Sequence, residues 1–155
     1  MSIKRILLLL GGIMLFSVVG SAQETRTHCA QPINALPPGW LPIQYFTDYT
    51  NNCGNYIGNT EIDENVGTLP SNSTVNVCID APLPNGWVEV SVIHSGNCDP
   101  NMIMNFDMQT IRLVHGLPIG TRVTICGQST ASLPKGWLQV SVTSGTDPNC
   151  GSGGT

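Results

Sequence analysis

LPNGWVEVSV, residues 83–92, returns as LPKGWLQVSV at 133–142, and a diverged copy, LPPGWLPIQY, stands at 36–45. Aligned on their tryptophans, Trp40, Trp87 and Trp137 lie 47 and 50 residues apart, each with a cysteine before it and another after it. Cys29 precedes Trp40 by 11 residues and Cys53 follows it by 13; Cys126 and Cys150 keep both spacings around Trp137, while Cys78 and Cys98 each lie two residues closer to Trp87. Repetition of a Cys, LPxGW, Cys unit at near-constant spacing is the mark of internal duplication.

The likeness extends upstream in the second and third copies, where LPSNSTVNVC (69–78) matches LPIGTRVTIC (117–126) over the same length. A full unit then reads as three short strands: a weak first one near 60–66 or 109–115, a second in VNVCI or RVTIC, and a third in WVEVSVI or WLQVSV. In the third, Val88, Val90 and Val92, like Leu138, Val140 and Val142, are expected on a buried face. Glu89 and Ser91, like Gln139 and Ser141, are expected on a wet one. Within LPxGW the proline and glycine set a turn and the tryptophan opens the strand. By the same alternation Trp87 and Trp137 sit on the wet side, partly exposed.

The predicted fold is all-β: tandem disulfide-stapled small β units, two full and one partial, in an array or compact meander, with a β-trefoil-like closure as the alternative. The divisions are a signal peptide at 1–22, a partial repeat at 23–53, repeats at 54–98 and 99–150, and a flexible Gly/Ser tail at 151–155. The six cysteines allow 15 pairings. Duplication of a stapled unit favours pairing within units, Cys29 with Cys53, Cys78 with Cys98 and Cys126 with Cys150, each loop closure contributing roughly 3 kcal/mol. Units this small need such staples because their apolar stripes bury little surface.

Tandem Cys-bracketed PxGW units of this kind resemble small exported bacterial proteins with PxGW or PxGY repeats. The resemblance covers most of the chain after residue 22. It implies an exported all-β protein and brings no catalytic residue or ligand with it.

Export is also read directly from the residues. Lys4 and Arg5 precede an uncharged apolar run at 6–20 that ends in small residues, the pattern of a secretory signal peptide, and the run is short for a bilayer span. The expected location is periplasmic or extracellular, with no membrane span once the signal is cleaved, and an oxidising compartment suits the cysteines. After residue 22, Arg26, Arg112, Arg122 and Lys135 face ten carboxylates, a net charge of −6, which argues against nucleic acid as a partner.

No enzyme signature is present. His28, His94 and His115 lack metal-ligand spacing, and neither HExxH, GxSxG nor a Gly-rich phosphate loop occurs. Glu61, Asp63 and Glu64 are the densest carboxylates, and alternation places Glu61 and Asp63 on the same side; calcium through oxygen ligands is one reading, but a solvated strand edge or turn is the plainer one. Zinc on the cysteines finds no CxxC pair. Met102, Met104 and Met108 alternate with Phe106 on one side of a strand, which favours packing over copper. The expectation is therefore a non-enzymatic binding or structural protein with no cofactor and no metal. Its partner would be a polysaccharide or a cell-surface protein. The alternative is a carbohydrate-binding module whose ligand-binding residues are Trp40, Trp87 and Trp137, stacking on sugars; a small hydrolase or inhibitor ranks below both.

Overall fold

The computed structural model describes residues 23–101, 106–127, 133–142 and 149–150. The expected signal peptide at 1–22, Met102, Met104 and the expected tail at 151–155 lie outside them. The described residues form two three-stranded antiparallel sheets and no α-helix. The first holds β1 (Thr25–Cys29), β2 (Trp40–Phe46) and β3 (Thr60–Asn65) in the order β1-β3-β2; the second holds β4 (Thr74–Cys78), β5 (Trp87–Ile93) and β6 (Met108–Leu113) in the order β4-β6-β5. In each sheet the last strand to be made lies in the middle.

That pairing moves the phase of the repeat by one strand. The sequence reading joins 60–66 to the cysteine strand that follows it, whereas β3 pairs with β1 and β2, both before it, Thr60 opposite Cys29 and opposite Phe46. Strand order along a chain carries no statement of partners, and a central strand takes its identity from two ladders at once. The first copy therefore contains a complete sheet. Of the third, expected to be full at 99–150, the first strand is β6, which belongs to the second sheet, and no strand is assigned among its described residues after Leu113.

The repeated phrase makes the same turn three times. Trp40 N donates to Pro37 O, Trp87 N to Pro84 O and Trp137 N to Pro134 O, each at 3.1 Å, and the glycine between adopts φ of +85°, +89° and +91°. Only a residue without a Cβ takes that conformation cheaply. Three residues beyond each of the first two tryptophans the register slips, between Pro42 and Gln44 and between Glu89 and Ser91. Such a bulge breaks the alternation on which the expected faces depend. Val90 is left without a partner, Trp87 opposes Leu113 and is 4% exposed, and Val88, on the opposite face, is 2% exposed.

Both faces can be buried because the units stack. Leu41 of β2 packs with Val75, Val77, Trp87 and Ile111 of the second sheet in one apolar cluster, closed by Val66 and Ala81. A second cluster joins Cys78, Cys98 and Met108 to Tyr45 and Ile93. Full burial of a side chain the size of Ile111 is worth roughly 2 to 3 kcal/mol. Tyr45 N donates to Asn97 O of the next unit at 2.8 Å, and Val92 N repeats the bond to Asn149 O at 2.7 Å, so the units follow one another as an array. All three disulfides close within units: Cys29–Cys53, Cys78–Cys98 and Cys126–Cys150.

Candidate functional site

The three tryptophans do not form a common platform. Trp87 is core. Trp40 is half-buried, with the Arg26 guanidinium 4.5 Å from its ring centroid. Trp137 is half-buried beside the third LPxGW turn. The expectation of partial exposure for Trp87 fails because the ring lies on the inner face of the second sheet, where Leu113 and the β2 side chains of the first sheet reach it.

The first unit contains a buried polar cluster in the place where the second is apolar. Glu61 and Asp63 are 0% exposed, which corrects their reading as a solvated edge: β3 is a central strand. As expected, they share a face. Opposite them on β1, Arg26 donates to Asp63 Oδ2 from Nε at 3.0 Å and from Nη2 at 2.9 Å. His28 places Nε2 2.6 Å from Asp63 Oδ2 and Nδ1 2.7 Å from the Cys29 carbonyl. Nδ1 donates to the Cys29 carbonyl, and the Asp63 carboxylate beside Nε2 favours a proton there as well. Burial lowers the His28 pKa, but the Cys29 carbonyl and the Asp63 carboxylate outweigh it and the net shift is upward. Burial, and then the charge of Asp63, raise the Glu61 pKa.

His28, Glu61 and Asp63 each present one ligand atom within 4.8 Å of the others, and Glu61 Oε2 and Asp63 Oδ1 are buried without a hydrogen-bond partner. Arg26 and His28 already face the two carboxylates, and a metal ion there would have to displace the proton that Asp63 favours on His28. The cluster is a charge-balanced clamp on the first sheet.

In the second unit the residue before the central strand plays a related part. Asp107, 0% exposed, accepts from Ser95 N at 2.6 Å, Cys98 N at 2.9 Å and Ser95 Oγ at 3.1 Å. Burial opposes its ionisation, yet the Ser95, Cys98 and Gly96 amides prevail and lower its pKa to about 2. Asn59 holds the same position in the first unit, bonding the Asp48 and Gly54 carbonyls at 2.9 and 2.6 Å. His94 is more than half exposed, 3.7 Å from Asp107. Met108 is buried against the Cys78–Cys98 disulfide, in keeping with a packing role.

The third unit presents a different surface. A groove of about 850 Å³ lies between Asn85, Gly86 and residues 114–121 on one side and the turn at 134–138 on the other. In the second unit the corresponding space, between 69–73 and the LPNGW turn, is filled by the end of β6: Leu113 N donates to Ser73 O at 2.9 Å, and Val114 N to Gly86 O at 2.8 Å. A Cβ on Gly86 would meet the His115 Cβ at 2.9 Å, whereas one on Gly136 or Gly120 would meet nothing within 4 Å. Leu138, Val140 and Val142 are 85%, 77% and 67% exposed, although the sequence reading buries them. Their counterparts Leu41 and Val88 are 3% and 2% exposed.

Sequence reasoning missed this groove because it joined each central strand to the cysteine strand that follows it rather than to the two strands before it. The signal that finds it is a second phrase, V-x-x-L-P, at 66–70 and 114–118, directly after each central strand. The fold and these sites define a disulfide-stapled all-β array, and three disulfides point to a non-cytoplasmic location. No family model matches the chain, and comparisons with curated proteins and with solved structures return no match.

Proposed function

We propose that this is an exported, non-enzymatic protein that binds a partner through its third unit, the first two serving as the rigid scaffold. Export to the periplasm or beyond rests on the Lys4, Arg5 and apolar 6–20 pattern, joined to the three disulfides. The observation that carries the binding role is the exposure of Leu138, Val140 and Val142, beside Ile119 at 108%, in a protein that buries Leu41 and Val88, the counterparts of Leu138, in its other units. Apolar surface gathered in this way marks an interaction site. A cell-surface protein suits such a face better than a polysaccharide does. The carbohydrate reading retains one support, the half-buried Trp137 at the groove.

The test compares the wild type with a Leu138→Asp, Val140→Asp double variant. The wild type is expected to bind an environment-sensitive apolar dye and to exchange its amides at 137–142 quickly; the variant should lose the dye and keep its melting temperature. Slow exchange at 137–142 with no dye bound would overturn the proposal, and retention on polysaccharide abolished by Trp137→Ala would replace it with the carbohydrate reading.

A further inference from the structure

Matched on their ladders, the two complete sheets put different chemistry in the same places. Arg26 and His28 of β1 stand where the second unit has Val75 and Val77, and Asp63 of β3 stands where it has Ile111. Val77 and Ile111 are fully buried, so this fold closes these positions with hydrocarbon alone. Replacing buried ions by well-packed apolar side chains commonly leaves a protein as stable or makes it more so. The charges of the first unit are therefore not needed to build its sheet.

Nor are they fully satisfied by one another. Gln109, which matches Glu61, donates from its side-chain nitrogen to the Cys78, Ile79 and Ala81 carbonyls at 3.3, 3.3 and 2.8 Å. Glu61 Oε1 accepts from Gln31 N at 3.2 Å, but its Oε2 has no hydrogen-bond partner. Asp63 Oδ1 has none either, since Arg26 and His28 both meet Oδ2. Two buried carboxylate oxygens left unpaired in one cluster call for a cation.

We propose that His28, Glu61 and Asp63 form a binding site for a divalent transition metal of the zinc class. One donor atom from each lies within 4.8 Å of the others. Ladder register makes the set, because it puts His28 opposite Glu61, where spacing along the chain shows no ligand pattern. One imidazole and two carboxylates are the mixture of nitrogen and oxygen that zinc accepts, whereas calcium takes oxygen ligands. The ring is oriented for the task. Nδ1 donates to the Cys29 carbonyl, which turns Nε2 toward Asp63, and a backbone carbonyl on the far nitrogen is the usual support of a ligating histidine. Arg26 holds Asp63 by Oδ2 and is itself placed over the Trp40 ring, so Oδ1 stays available. Both carboxylates are closed off from solvent and His28 is partly exposed, so an ion enters from the side of the ring and takes the place of its Nε2 proton. The site belongs to the first unit and is independent of the binding role proposed for the third.

The test is a titration of the untagged, oxidised, chelator-treated protein with zinc chloride, followed by calorimetry and by the proton magnetic resonance signals of the histidine rings. One zinc is expected to bind per chain at micromolar concentration, to shift the His28 ring signals while those of His94 and His115 stay in place, and to raise the melting temperature. Calcium in about ten-fold excess should not displace it. A variant carrying Arg26→Val, His28→Val, Glu61→Gln and Asp63→Ile gives the first sheet the residues of the second; it should fold and lose the zinc. The ring signals are read on the wild type and so decide the question even where that variant does not fold. Absence of binding at millimolar zinc, shifts at His94 or His115 in place of His28, displacement by calcium, or zinc retained by the folded variant overturns the proposal.

Discussion

The backbone amide of Val114 donates to the carbonyl of Gly86 at 2.8 Å, and one unit earlier Val66 makes the same bond to Gly39, also at 2.8 Å. Each bond fastens the end of a central strand onto the turn that opens its neighbour. The glycine is thus required twice over, for its positive φ and for the close approach of the following chain. Gly86→Ala is expected to cost about 2 to 3 kcal/mol in urea unfolding, from backbone strain together with the 2.9 Å meeting with His115. Gly136→Ala has the strain alone, at φ +91° with open space around it, and should cost about 1 kcal/mol. Equal costs would show that the close approach contributes nothing.

Val88→Asp and Val140→Asp lie in the same stretch of the repeat, one and three residues after the tryptophan, yet should differ sharply. The first puts a carboxylate where the side chain is 2% exposed and should unfold the second unit. The second alters a residue 77% exposed and should stay within about 0.5 kcal/mol of wild type. Circular dichroism on heating distinguishes them, and destabilisation by Val140→Asp would mean that its face is covered in solution.

Asp107 makes stability depend on acid. Its folded-state pKa, about 2, lies below the ordinary 3.8, so the stability it contributes is present above pH 3.8 and is lost as the pH falls toward 2. The loss is roughly 2 kcal/mol. Asp107→Asn should remove that acid dependence and leave the midpoint of denaturant unfolding nearly flat between pH 5 and pH 2.5, apart from the response of the other carboxylates.

The first unit should respond in the alkaline direction. The His28 pKa is raised above 6.5, so its contribution is complete below that value and is lost as pH rises through the shifted one; Glu61, also raised, pulls the same way. His28→Ala leaves Glu61 and Asp63 buried with Arg26 as their one cation and should cost about 3 to 5 kcal/mol at pH 6. The difference from wild type should narrow by pH 9. A constant difference across that range would show that the ring acts through packing alone.

The sequence by itself determined the unit. Six cysteines at repeated spacings around LPxGW favour the within-unit pairing that the structure shows, and with the turns they indicate an all-β chain, because glycine conformation and loop closure are local properties that a short phrase encodes. The placement of Glu61 and Asp63 on one face was likewise legible from alternation alone. Only the tertiary structure decided which strands belong together. A strand such as 60–65 carries the same pattern whether it pairs forward or back, and its buried carboxylates look like a wet edge until Arg26 and His28 are seen opposite them. The bulges after Trp40 and Trp87 turn the tryptophan side inward, and the stacking of one sheet on the next buries both faces. Those outcomes depend on hydrogen bonds and contacts between segments far apart in the chain. For the same reason the exposure of Leu138, in the same place of the phrase as the buried Leu41 and Val88, became visible only in the tertiary structure.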